Sequence, residues 1–141
     1  MTVVGTPAAG APSKALHIAL WVVQVLLALA FGMAGTMKTF TPLDELVKTM
    51  PWFTSVPWLP RFIGPAELAG ALGMVLPSVT RIRPVLTPLA GVGLSIVMLL
   101  AGGMHAVRGE IPMVPINVLL GGLAVFVAWG RFKKARIEPR R

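Results

Sequence analysis

Pro84-Val85-Leu86-Thr87-Pro88-Leu89-Ala90-Gly91-Val92-Gly93-Leu94-Ser95-Ile96-Val97-Met98-Leu99-Leu100-Ala101-Gly102-Gly103-Met104-His105-Ala106-Val107 runs for 24 residues without an Asp, Glu, Lys or Arg. A bilayer core about 30 Å thick needs about 20 apolar residues in a helix, so this stretch predicts a membrane-spanning helix. Residues 15–37 and 111–130 lack charge in the same way, and 62–80 carries only Glu67. These four windows hold 86 residues and one charge; the other 55 residues hold seventeen. A soluble domain needs roughly a quarter of its residues charged. With 13% charged, 55% apolar and a mean hydropathy of +0.79 over 141 residues, this chain is not one. Disorder is excluded by the same apolar content, and a fibrous repeat by the 15 glycines, which keep no regular period.

Helices satisfy every backbone amide within one segment, which lipid demands, and short connections make successive helices antiparallel. The sequence therefore predicts an all-α integral membrane protein, an up-down four-helix transmembrane bundle. Its spans fall at about 15–37, 62–80, 84–107 and 111–130, forming one transmembrane domain over 15–130. A flexible cytoplasmic tail, 1–14, precedes it and a basic cytoplasmic tail, 131–141, follows. The first window is longer than the apolar core of a signal peptide, and its cleavage would strand an odd number of helices, so it counts as a span.

The net charge of +8 sits outside the spans. Lys14, Arg81, Arg83 and the six basic residues of 131–141 lie on one side, nine in all; Lys38, Lys48, Arg61 and Arg108 lie on the other. The positive-inside rule then places both termini in the cytoplasm, with the basic tail beside anionic lipid. Nucleic acid is not an expected partner, because no interleaved aromatics or folded module accompany the charges. The chain has no cysteine, which excludes disulfides, thiolate metal sites, iron–sulfur ligation and thiol redox chemistry.

One substantial loop, 39–61, falls on the outer side. Thr41-Pro42-Leu43-Asp44-Glu45 supplies a capping hydroxyl, a proline at the first helical position and first-turn acids, predicting a short interfacial helix that stops before Pro51. The Pro-rich run Met50–Pro60 contains Trp52 and Trp58, which suit the headgroup region. It fits an interfacial connector, the favoured reading, or a lid over the bundle.

Chain direction gives the depth of the few polar groups. Lys38 ends the first span at the outer side, Glu67 lies about 9 Å inward along the second, His105 ends the third, and Asn117 lies near the depth of Glu67 in the fourth. Small residues share each helical face: Ala34 and Gly35 with Lys38, Gly70 and Ala71 with Glu67, Ala101 and Gly102 with His105, Gly121 with Asn117. Small residues allow close helix approach. Singly, Lys38 suits a snorkelling interfacial lysine, His105 an interface histidine and Asn117 interhelical glue. An acid inside a span costs about 2.5–3.5 kcal/mol on insertion scales, so Glu67 needs a partner or a task. Lys38 is the expected partner, as a structural ion pair or as part of a site. One histidine and one acid make no metal site.

Three stretches, Leu27 to Lys38, Arg61-Phe62-Ile63-Gly64-Pro65-Ala66-Glu67-Leu68-Ala69-Gly70-Ala71 through Pro77, and Gly103-Met104-His105-Ala106-Val107-Arg108-Gly109-Glu110, precede a closing apolar helix ending at Arg131. In order and spacing, over roughly 17–131, they resemble the DoxX-like family of small bacterial membrane proteins. The resemblance implies a four-helix bundle in the bacterial cytoplasmic (inner) membrane, and a link to quinone-dependent oxidation. The family name comes from a membrane subunit of a thiosulfate:quinone oxidoreductase, some relatives join oxidative-stress complexes, and distant eukaryotic relatives look like assembly chaperones. What looks like the family's Lys, Glu and His fall at Lys38, Glu67 and His105.

Three functions follow as expectations. The first is an accessory or membrane subunit of a quinone-linked redox system, with no cofactor of its own and a bound quinone or other lipophilic small molecule in an outer-leaflet pocket. A membrane redox subunit would be its partner besides the bilayer. The second is an enzyme acting on a small hydrophobic substrate, with Glu67 and His105 as acid and base and Lys38 tuning the carboxylate. The third is a chaperone or binding protein without chemistry. Asn117, Trp52, Trp58 and Met74 are the candidate ligand contacts.

Overall fold

In the computed structural model, residues 10–141 are described, and of the expected N-terminal tail residues 1–9 lie outside them. Five α-helices occur: α1 Lys14–Phe40, α2 Leu43–Thr49, α3 Leu59–Thr80, α4 Leu86–Val107 and α5 Val114–Trp129. A 3₁₀ turn over Pro51–Thr54 and another over Ile111–Met113 precede α3 and α5, and a π-helical turn over Gly130–Lys134 prolongs α5. No strand occurs among the described residues. Four helices, Lys14–Phe40, Leu59–Thr80, Leu86–Val107 and Ile111–Lys134, are long and apolar enough to cross a membrane. The chain is a multi-pass membrane protein with a four-helix bundle fold.

α1 packs most closely along α3, and α4 along α5; the α3–α4 seam is looser and α1 meets α5 least. The centre holds Leu27, Phe31, Ala71, Met74, Leu94, Met98, Ala124 and Val127, while Leu29, Met33, Leu72, Leu99 and Val118 stay on the outside. Lipid solvates those side chains as well as a neighbouring helix would, so close backbone packing has to hold the helices together. Gly35 and Gly64 show how close it is. A Cβ on Gly64 would lie 2.8 Å from the Thr39 amide nitrogen and 3.0 Å from the Gly35 carbonyl.

The loop departs from the sequence expectation in one respect. α1 continues through Phe40, and the Thr41 N–H bonds the Met37 carbonyl, so Thr41 ends α1 instead of capping α2. Pro42 takes the N-cap of α2, with no side-chain cap, while Asp44 and Glu45 occupy its first turn as expected. From α2 onward the loop is folded inward. Leu46 and Phe53 are buried, the Trp52 and Phe53 rings lie tilted with centroids 3.9 Å apart, and the Arg108 guanidinium lies 4.5 Å from the Trp52 ring centroid. The segment thus rests on Arg108 at the end of α4. Trp58 remains exposed.

At the opposite end α3 stops on Arg81 in the left-handed conformation (φ 58°), and Arg83 repeats it (φ 46°). The tail folds back across this turn. The Arg140 N–H bonds the Arg81 carbonyl at 2.9 Å, and Arg81 Nε bonds the Glu138 carbonyl at 2.8 Å. Arg131, counted with the tail on sequence, is buried in the bundle.

Candidate functional site

Lys38 lies in the last turn of α1, where a cation opposes the negative end of the helix dipole. The Gly35–Gly64 approach brings α3 near enough for its Nζ to reach both Glu67 oxygens, at 2.9 Å and 2.8 Å. Glu67 is 2% exposed and Lys38 16%. Arg61 fixes the same junction: its guanidinium donates to the carbonyls of Lys38, Thr39 and Thr41 at 2.6, 3.0 and 2.5 Å. Those carbonyls belong to the end of α1, where helix acceptors lack intrahelical donors. Arg61 and Lys38 thus tie α1 to α3 through five charge-assisted bonds.

His105 belongs to a second cluster. Its Nδ1 lies 2.5 Å from Glu110 Oε2, and Arg108 Nη2 donates to Glu110 Oε1 at 2.7 Å. Gly109, at φ +74°, turns the chain so that the Glu110 N–H can bond the His105 carbonyl at 2.8 Å. Asn117 donates to the carbonyl of Met113, the N-cap of its own helix, at 2.8 Å, and it packs opposite Gly102.

The structure brings Lys38 and Glu67 together and sets His105 apart. Gly70 faces Leu94 and Gly73 faces Ala90 across the α3–α4 seam. That register puts Glu67 level with Val97, and His105 stands eight residues, about 12 Å, farther toward the loop end. The candidate ligand contacts scatter likewise: Met74 lies in the central core, Trp52 packs under Arg108, and Trp58 faces outward. An open groove of about 610 Å³ does run along the α3–α4 seam, from Ala66 and Val97 to Pro77 and Leu86, with Gly70 and Gly73 on its floor.

A third polar cluster lies at the end carrying the termini. Gln24, fully buried in α1, donates to the Met74 carbonyl at 2.6 Å and to Ser78 at 3.2 Å, and it accepts from Arg131 Nε at 2.7 Å. Ser78 and Thr87 share a hydrogen bond at 2.8 Å. Arg131 Nη1 also meets His17 Nδ1 at 3.1 Å and the Ala135 carbonyl at 3.0 Å. The network joins all four membrane-spanning helices. Arg61, Glu110 and Arg131 were not among the site residues expected from sequence, although Glu110 at five residues beyond His105 was a visible partner.

Among the described residues no cluster of three or more His, Cys, Asp or Glu is placed to hold a metal. The fold and its buried ion pair define a class: a small multi-pass helical membrane protein with a buried lysine–glutamate pair, Lys38–Glu67, between two of its spans. The sequence profile of the DoxX-like family matches residues 22–127, three quarters of the chain, and the chain belongs to that family. No curated protein and no solved structure matches it.

Proposed function

We propose that this DoxX-like protein is a non-catalytic accessory subunit of a quinone-linked redox system, and that it holds a lipophilic molecule of the quinone class. One observation carries the choice over an acid/base enzyme. Glu67 is closed by Lys38 and His105 by Glu110, at levels about 12 Å apart, so no free acid faces a free base. General acid/base chemistry needs both within hydrogen-bond reach of one substrate. The α3–α4 groove, with Ala66 at its outer end beside Glu67, supports a lipophilic occupant reached from the bilayer. The quinone link is carried over from the family resemblance. With nine basic residues against four, both termini face the cytoplasm of a bacterial inner membrane.

Extraction of lipids from protein purified in mild detergent tests the reading, together with cross-linking by a photoreactive short-chain ubiquinone analogue. Quinone should copurify, and the analogue should label the α3–α4 seam. Ala69→Trp, which fills the groove from its exposed rim, should abolish both while the protein still folds. Absence of quinone, of labelling and of any copurifying redox partner would overturn it.

A further inference from the structure

The end of the molecule that carries the termini holds a second cavity, unrelated to the Lys38–Glu67 junction. It measures about 400 Å³, and three arginines, Arg83, Arg131 and Arg136, line it beside apolar Pro88, Phe132 and Ile137. The four ion pairs among the described residues involve none of these arginines. Arg131 is 4% exposed, and its Nη2 is buried with no hydrogen-bond partner among the described residues. That nitrogen has almost no accessible surface, and Nε and Nη1 are taken by Gln24, His17 and the Ala135 carbonyl, so Arg131 gives the wall a fixed charge. The exposed guanidinium forks of Arg83 and Arg136 match the oxygens of a phosphate.

Two further features converge on the same place. The start of α4 (Val85, Pro88) forms one wall; its Leu86 and Thr87 N–H groups already bond the Arg83 and Pro84 carbonyls, and Pro88 has none. The helix start therefore adds only the positive end of its dipole to the field of the arginines. The tail carrying Arg136 and Ile137 is held over the opening by the Arg140–Arg81 and Arg81–Glu138 bonds. This clasp fixes a turn containing two left-handed arginines, a conformation that costs roughly 1–2 kcal/mol for a residue with a Cβ.

We infer that this cavity binds the phosphate of an anionic membrane lipid, with Arg83 and Arg136 around the phosphate oxygens, the buried charge of Arg131 behind them, and Phe132, Ile137 and Pro88 against the lipid's apolar stem. A basic pocket at the end of a helix bundle, level with the headgroups, suits such a ligand. Free phosphate offers the same oxygens without the stem, and the apolar half of the wall favours the lipid.

Native mass spectrometry and thermal melting of the purified protein in mild detergent test this, with dioleoylphosphatidylglycerol, dioleoylphosphatidylcholine or inorganic phosphate added. Phosphatidylglycerol should be retained and should raise the melting temperature; phosphatidylcholine should do neither. Arg83→Gln/Arg136→Gln, at two exposed positions, should bind phosphatidylglycerol more weakly by about fivefold for each arginine lost. Lys133→Gln/Lys134→Gln removes the same charge from the same end but outside the cavity wall, and it should bind nearly as wild type does. Equal losses in the two double variants would reduce the effect to general surface attraction and overturn the site, as would equal retention of the two lipids. Stabilisation by inorganic phosphate that phosphatidylglycerol does not improve would overturn the lipid and leave a soluble phosphate site. If the arginine double variant does not fold, Arg136→Gln alone must still show the fivefold loss.

Discussion

Lys38 Nζ contacts both carboxylate oxygens of Glu67, at 2.9 and 2.8 Å, beside the close Gly35–Gly64 approach of α1 and α3. Removing one partner of a buried pair strands the other and costs about 3–5 kcal/mol, whereas removing both is often neutral. Lys38→Met and Glu67→Leu should therefore each lower the melting temperature sharply in detergent, and the double variant should recover most of the loss. Quinone retention by a stable double variant separates scaffold from site: the pair is scaffold if retention is unchanged.

The glycines in the helix seams should rank by what a methyl group meets. At Gly64 it meets backbone, the Thr39 amide and the Gly35 carbonyl, which cannot move without separating α1 from α3. At Gly70 it meets only side-chain atoms, those of Leu94, and a side chain shifts more readily than a helix backbone. Gly64→Ala should cost about 1–3 kcal/mol, and Gly70→Ala less. Thermal melting of the two variants side by side checks the order. Equal melting temperatures would show that the α1–α3 crossing can open.

Much of this structure was legible in the sequence, for identifiable reasons. The spans follow from local absence of charge, and Lys38–Glu67 follows from chain direction plus the cost of an acid in hydrocarbon. Chain direction puts His105 at the end of its span and Glu67 about 9 Å inward, and the α3–α4 stagger, set by Gly70 opposite Leu94, makes the offset about 12 Å. Glu110, five residues on, was a visible partner for His105, but the contact itself rests on the positive φ of Gly109. Arg131 resembled its basic neighbours in the tail. Only the continuation of α5 through Gly130–Lys134, with Gly130 so close that a Cβ there would lie 2.5 Å from Leu20, turns it into the bundle.

Topology has a direct test, because the chain has no native cysteine. Single cysteines at Ser55 and at Arg141, both exposed, should react with an impermeant maleimide from opposite sides of the membrane. Intact cells should label Ser55→Cys alone, as the charge distribution requires. Labelling of Arg141→Cys alone would invert the protein, and labelling of both would break the four-span assignment.

The Gln24–Arg131 bond at the other end tests how much a buried polar network is worth in this bundle. Gln24 joins α1 to the Met74 carbonyl and Ser78 of α3, and Arg131 adds the end of α5. Interhelical hydrogen bonds between membrane helices average only about 0.6 kcal/mol, which alone makes Gln24→Leu a mild change. The partner here is a buried guanidinium, however, and its Nη2 already lacks a partner among the described residues. Taking away the Gln24 oxygen leaves Arg131 Nε unpaired as well, and an orphaned buried donor costs about 1–3 kcal/mol, more when charged. Gln24→Leu should therefore destabilise by at least about 2 kcal/mol. Gln24→Leu/Arg131→Met, which removes both partners, should stand nearer wild type than Gln24→Leu does. Thermal melting of both in one detergent decides. If Gln24→Leu costs no more than an average interhelical bond, the guanidinium has found another partner, and the network does not hold α5 to α1.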